Sequence, residues 1–281
     1  MRRQGSPEHA FEAVFAPRTV AIVGASDDPA KWGHIIAGRA LASRGERTVL
    51  LVNRRGGTVL GEPAHTSVEA AAREHGVDVD LAVVCVPASG FVAAVSDAVA
   101  AGARAIVGIT AGLSETGADG ARVETEALAV ARGAGAVLVG PNCLGVVDTT
   151  TGLQLAHAVL PPGDVAVLSQ SGNLVLDLAD LLAARGLGVS RFVSLGNQAD
   201  LGLVEFLRAC VDHPGTRAVA VYVEDVRDGQ GFLDAARALR RAGKPLVLLA
   251  PGRTEAAVRS AASHPAPLTS SSMVADAACA A

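Results

Sequence analysis

Aromatic side chains are scarce: six Phe, one Trp and one Tyr make up 3% of the 281 residues. Valine, leucine and alanine must therefore fill the interior, which suits buried parallel strands packed against alanine-rich helices. Basic clusters are absent and the net charge is −4, which argues against nucleic acid as a partner. No apolar run reaches the roughly 18 residues of a membrane span. The opening M-R-R-Q-G-S-P-E-H has no apolar stretch behind its charges, so no signal peptide is expected. Cys85, Cys143, Cys210 and Cys279 show neither metal nor disulfide spacing. Together these absences predict a soluble cytoplasmic protein.

What is present is a βα alternation long enough for two α/β domains. After a lead-in helix over 8–16, strands are expected at 19–23, 48–52, 81–86, 105–109 and 136–139, with helices over 34–43, 89–101 and 120–133. The first strand ends in Gly24-Ala25-Ser26 and opens a helix, as a Rossmann unit does, but the turn lacks the full G-x-G-x-x-G spacing. The second strand ends in Asn53-Arg54-Arg55, where an NAD site would carry an acid. Arginines suit a ribose phosphate, as in NADP or the 3′-phospho-ADP of coenzyme A, and equally a solvated loop. Thr, Gly and Pro then break the alternation over 148–163, placing a connection between domains 1–147 and 164–281. The second series has strands at 165–168, 191–195, 218–224 and 245–250, with helices near 173–184, 201–212, 229–242 and 254–262.

The stretch Asp164 to Asn173, D-V-A-V-L-S-Q-S-G-N, joins a strand to a helix through small residues. Free N–H groups of Ser169, Gln170, Ser171, Gly172 and Asn173, with the positive end of the helix dipole, would form an anion site. A phosphate carried on His264 is the expected ligand. An ordinary βα turn with a serine cap fits the same letters.

Several stretches resemble the nucleoside-diphosphate-forming acyl-CoA synthetases and the succinyl-CoA synthetase α subunit. They are F-E-A-V-F-A-P-R-T-V-A-I-V-G-A-S (11–26), G-P-N-C-L-G (140–145), S-Q-S-G (169–172), S-L-G-N-Q-A-D (194–200), G-R-T-E (252–255) and the Ser263-His264 pair. The resemblance runs from about Phe11 to Ala278. It implies a Rossmann-like CoA-binding domain followed by a flavodoxin-like ligase domain. It also implies the activity: a carboxylic acid, CoA and a nucleoside triphosphate interconvert with acyl-CoA, diphosphate and phosphate. His264 would carry the phosphate, since neutral imidazole is a competent nucleophile near pH 7, and Glu224 would hold its ring. CoA contacts carry over to Gly24, Ala25, Ser26, Lys31, Asn53 and Arg55. Val86, Pro87 and Ser89 would line the pantetheine arm, with Asn142 and Cys143 near the thioester. Ala111, Gly112 and Glu115 would lie where the acid binds. ATP or GTP with Mg²⁺ is expected on a separate ATP-grasp β-type chain, so a homo- or hetero-oligomer is implied. The scarcity of aromatics slightly favours a small or aliphatic acyl group.

One stretch departs from the family pattern. The histidine loop reads Ser263-His264-Pro265-Ala266-Pro267-Leu268, where the family has S-H-T-G-A-L or G-H-A-G-A-I. Two prolines fix φ and remove two N–H donors, and Ala250 stands where the family often has lysine. A CoA- or acyl-CoA-binding protein that does not ligate, regulatory or an acyl-transfer component, is the alternative this leaves. An NADP-dependent oxidoreductase is a third, weakened by the missing second glycine.

Overall fold

Short valine- and leucine-rich runs, closed by glycine or proline, become parallel strands in the computed structural model, which describes residues 7–172 and 174–250. The chain divides into two units, Met1–Val159 with Gly196–Leu201, and Leu160–Leu195 with Gly202–Ala281. The helix predicted at 254–262, His264 with its loop, and Asn173 lie outside the described residues.

The first unit opens with α1 (Pro7–Phe15), β1 (Thr19–Val23), α2 (Trp32–Ala42) and β2 (Thr48–Val52). It continues with β3 (Gly57–Val59), β4 (Glu62–His65), α3 (Val68–His75), β5 (Leu81–Val84), α4 (Phe91–Ala100), β6 (Ala105–Gly108), α5 (Ala118–Gly133) and β7 (Val137–Val139). The sheet order is β3-β4-β2-β1-β5-β6-β7. Leaving out β3, which is antiparallel to β4, the six parallel strands follow the 3-2-1-4-5-6 order of the dinucleotide-binding fold. The order reverses between β1 and β5, and in such sheets ligands bind at that switch point, past the carboxyl ends of the strands.

Two hairpins and one helix differ from the sequence expectation. Residues 57–65 form a hairpin turning at Leu60 (φ 53°) and Gly61 (φ 77°), the paired positive φ of a type I′ turn. Leucine in the place usually taken by Asn hides that signal. Helix α3 is capped by Ser67, whose Oγ accepts from Ala70 N–H at 3.0 Å, and ends at left-handed Gly76. Residues 145–156, which partly overlap the expected connection, pair as the antiparallel strands β8 (Gly145–Asp148) and β9 (Leu153–Ala156). A Cβ on Gly145 would lie 1.9 Å from Leu155 O, so the closeness of the pair depends on that glycine.

The second unit carries β10 (Pro162–Ser169), α6 (Leu174–Ala184), β11 (Val189–Ser194), α7 (Leu203–Val211), β12 (Ala218–Tyr222), α8 (Gly229–Arg241) and β13 (Leu246–Leu249). Its parallel strands run β13-β12-β10-β11, a flavodoxin-like order with its switch point between β10 and β12. The few aromatics sit where they fill most volume: Phe15, Phe91, Phe192, Phe206 and Phe232 are fully buried. Among the described residues no helix is long and apolar enough to cross a membrane.

One buried acid ties the first sheet together at its amino ends. Asp80 accepts from the N–H groups of Arg18 (2.8 Å) and Thr19 (3.1 Å) and from Arg104 Nη2 (2.6 Å). Burial alone would raise its carboxyl, but these donors outweigh burial and hold it below its ordinary value of 3.8. Its stabilising effect is therefore present above that pH and lost as pH falls through and below it. Asp80→Asn is expected to cost about 2 kcal/mol at pH 7, the scale of a hydrogen bond to a charged group. Urea unfolding at pH 7 and pH 3 should show the deficit shrinking at the lower pH.

Candidate active site

The first crevice is built around two glycines. Gly24 follows β1 with φ 95°, and a Cβ there would stand 2.8 Å from Cys85 O. Gly33, in the first turn of α2, brings the helix so close that a Cβ would lie 1.9 Å from Gly24 O. This is the close helix–strand approach that the third glycine of a dinucleotide fingerprint provides. The N–H groups of Gly24 and Ala25 both donate to Val52 O, at 2.8 and 3.0 Å. Ser26 Oγ accepts from Asp28 N–H, and its carbonyl lies 3.1 Å from His34 Nδ1. Lys31 is exposed, 3.5 Å from Asp28.

After β2, Asn53 Oδ1 accepts from Arg55 N–H at 2.8 Å. This Asx turn leaves Arg54 and Arg55 exposed at the rim. After β5 come Cys85 and Val86, half-buried, then exposed Pro87 and Ser89. Thr110 Oγ1, buried after β6, donates to Val86 O at 2.8 Å and pins that stretch. Ala111 and Gly112 are exposed beyond it.

After β7 the chain passes Gly140 and Pro141 to Asn142 (φ 55°), whose N–H donates to Thr110 O at 2.9 Å. Cys143 is buried, its Sγ 3.3 Å from Gly108 O. Burial pushes its thiol up to about 12, so it stays protonated and is no nucleophile at neutral pH. Burial likewise raises Cys85.

Residues 196–201 belong to this unit although second-unit strands precede and follow them in sequence. Asn197 N–H donates to Pro141 O (2.8 Å), Ala199 N–H to Gly140 O (2.9 Å) and Leu201 N–H to Leu138 O (3.2 Å). Asp200 accepts from Leu138 N–H at 2.9 Å and pairs with Arg132 at 2.7 Å. A Cβ on Gly196 would stand 2.1 Å from Pro141 O. The side chain of Asn197 donates to Glu115 (2.7 Å) and Glu124 (2.8 Å) and accepts from Asn142 Nδ2 at 3.2 Å. Glu115 also accepts from Gly112 N–H at 2.5 Å, and Glu124 from Ser114 Oγ at 2.8 Å. Burial would raise the Glu115 carboxyl, but its hydrogen bonds, first that from Asn197, hold it below the usual range. The S-L-G-N-Q-A-D letters mark Asn197 in the sequence, but they give it no role.

In the second unit the S-Q-S-G turn follows β10. Ser169 is buried and its Oγ donates to Ser171 O at 2.6 Å. The Gln170 amide reaches across the switch point. Its Oε1 accepts from the N–H groups of Glu224 and Asp225, the latter at 2.9 Å, while Nε2 donates to Asp225 O at 2.7 Å. Gln170 N–H donates to Tyr222 O at 3.1 Å. Ser171 and Gly172 are half-buried. Burial and the neighbouring, hydrogen-bonded Glu224 carboxylate raise the Tyr222 phenol. Gln170 and Tyr222 therefore both hold the segment that carries Glu224.

Comparison with known proteins matches both halves. A model described as a CoA binding domain matches residues 18–149, and one described as a succinyl-CoA ligase like flavodoxin domain matches 162–281. The α subunit of ADP-forming acetate–CoA ligase II from Pyrococcus furiosus is 34% identical over 258 residues, 92% of this chain and 55% of that protein. The α2 subunit of ADP-forming succinate–CoA ligase from Archaeoglobus fulgidus is 36% identical, covering 71% of this chain and 68% of its own length. Among solved structures, acetyl-coenzyme A synthetase 1 of Ca. Korarchaeum cryptofilum, in complex with phosphate and ADP, superposes with a TM-score of 0.86 at 32% identity. That match covers 96% of this chain and 57% of the other. The chain thus spans little more than half the length of the acetate–CoA ligase α subunits it matches. With the two domain types in the family's order and these relatives alongside, the chain belongs to the nucleoside-diphosphate-forming acyl-CoA synthetase and succinyl-CoA synthetase α-subunit superfamily.

Proposed function

We propose that the chain is the α-type part of an ADP-forming acid–CoA ligase, binding CoA in its first unit and relaying phosphate through its second. The observation that carries this reading is the alignment of more than nine-tenths of the chain with an acetate–CoA ligase α subunit. The geometry supports it. The Gly24 turn sits at the switch point, and the exposed cations Lys31, Arg54 and Arg55 stand beside it for the 3′-phosphate end of CoA. In the second unit the S-Q-S-G turn would receive the phosphate, and the Gln170 amide holds the segment of Glu224, which would meet the ring of His264. Glu115 is a carboxylate that its hydrogen bonds hold below the usual range, so it shapes the acyl end and does not itself grip an acid. ATP or GTP with Mg²⁺ would bind an ATP-grasp partner, making the working enzyme an assembly in the cytoplasm.

Calorimetry with CoA, dephospho-CoA and NADP tests the first half. Micromolar CoA binding, with dephospho-CoA about tenfold weaker, is the expected result; loss of one charge-assisted contact is worth about 1.4 kcal/mol. Binding of NADP without CoA would move an oxidoreductase to the front. The Pro265 and Pro267 substitutions in the histidine loop favour a second reading, a CoA-binding protein without phosphate relay. His264→Ala separates the two: acid-dependent ADP formation with the partner chain should vanish under the first reading, and the protein's function should survive under the second.

A further inference from the structure

Asn197 stands between two acids and one amide, and the hydrogen count fixes how all of them point. Its Nδ2 has two hydrogens, and two carboxylates lie 2.7 and 2.8 Å away. The reverse orientation would set Oδ1 against both Glu115 and Glu124, so the carboxylates determine the amide flip. Oδ1 then faces Asn142 Nδ2 at 3.2 Å and must accept from it. That fixes the second amide in turn. Asn142, exposed and with its N–H tied to Thr110 O, keeps one side-chain N–H for a ligand.

Its place in the sheet says which part of a ligand it meets. The cations that suit phosphate follow β1 and β2, whereas Asn142 follows β7. With the order β2-β1-β5-β6-β7, the two ends lie four strand spacings apart, on the order of 19 Å. An extended CoA held by its phosphates at β2 would bring its thioester end toward β7.

Resting on the proposed CoA-binding role, we propose that Asn197 is a positioning residue. It converts the two fixed carboxylates into an oriented Asn142 amide, whose free N–H donates to the acyl oxygen of the CoA thioester. The same arrangement separates that oxygen from the negative charge of Glu115 and Glu124 by a neutral relay. The relay comes from the 196–201 segment, which holds its place by three backbone hydrogen bonds to residues 138–141.

The test compares acetyl-CoA with CoA binding by calorimetry on the whole chain, for wild type, Asn142→Ala, Asn197→Ala and the double variant. CoA affinity is measured in each variant as the reference, and the readout is the ratio of the two affinities. The acetyl-CoA to CoA affinity ratio should fall about five- to tenfold in Asn142→Ala, the scale of one hydrogen bond. Asn197→Ala should lower it by a similar factor, and the double variant no further, since one acts through the other. Multiplying effects in the double variant, or an unchanged ratio in either single one, would overturn the proposal. Where Asn197→Ala lowers the unfolding midpoint, Asn197→Ser carries the test. It keeps a donor for one carboxylate but is too short to relay to Asn142, so its ratio should fall equally. A wild-type chain that binds neither ligand refutes the parent reading, and this one with it.

Discussion

Gly33→Ala is expected to destabilise the chain by about 3 kcal/mol, the upper part of the range for overpacking, and to abolish CoA binding. The new Cβ would meet Gly24 O at 1.9 Å. A carbonyl oxygen cannot rotate aside as a side chain can. Gly24 cannot retreat either: it is held by its N–H bond to Val52 O and backed by Cys85 O, which a Cβ on Gly24 would meet at 2.8 Å. So α2 must lift from the sheet and take the crevice with it. Gly38, on the exposed side of the same helix, is the internal control. There a Cβ finds only Leu60 Cδ1, at 4.0 Å. Gly38→Ala should stabilise by about 0.5–1 kcal/mol, through helix propensity and a less free unfolded chain. Urea midpoints for the two variants should move in opposite directions. Loss of stability in both would point to a general intolerance of α2, not to the Gly24 contact.

Under the proposed phosphate relay, Gln170→Ala should lower turnover with the partner chain by about 100-fold, the cost of misplacing a catalytic group by roughly 1 Å, while leaving CoA affinity unchanged. Its amide pairs with three backbone groups of Glu224 and Asp225, much as another strand would. Truncation leaves two N–H groups and a carbonyl without that partner and frees the Glu224 segment. Gln170→Glu is the sharper variant. It keeps an acceptor for both N–H groups but sets an oxygen against Asp225 O, so it should restore only part of the rate. The readout is phosphoprotein formed from acyl-CoA and phosphate in a single turnover. Rates within twofold of wild type for Gln170→Ala would mean that Glu224 does not depend on the clasp.

Much of the fold is legible in the sequence because parallel strands are continuous apolar runs. T-V-A-I-V, T-V-L-L-V and L-A-V-V stand out without tertiary information. The hairpins are not legible in the same way. Their strands are three or four residues long, and Leu60 takes a turn position that sequence logic reserves for Asn or Gly. The role of Gly33 was hidden by a turn longer than the fingerprint allows. Asn197 was visible as a letter in a motif, but its partners lie 82 and 73 residues away, and no local pattern carries that distance. Gln170 shows the same limit. As a residue of a small turn it reads as an anion donor, yet its amide is committed to the bend after β12, 54 residues on.

The six residues Gly196–Leu201 have a consequence for recombination. An engineer who swaps the first half of this chain for that of a relative would cut in the 157–162 stretch and leave these residues with the wrong parent. The graft would then pair Glu115, Glu124 and the Leu138 N–H with a foreign clip. On the role proposed for Asn197, a chimaera built by linear splicing should lose acyl discrimination, and carrying the hexapeptide across with the first half should restore it. The unit of inheritance for this crevice is a discontinuous block.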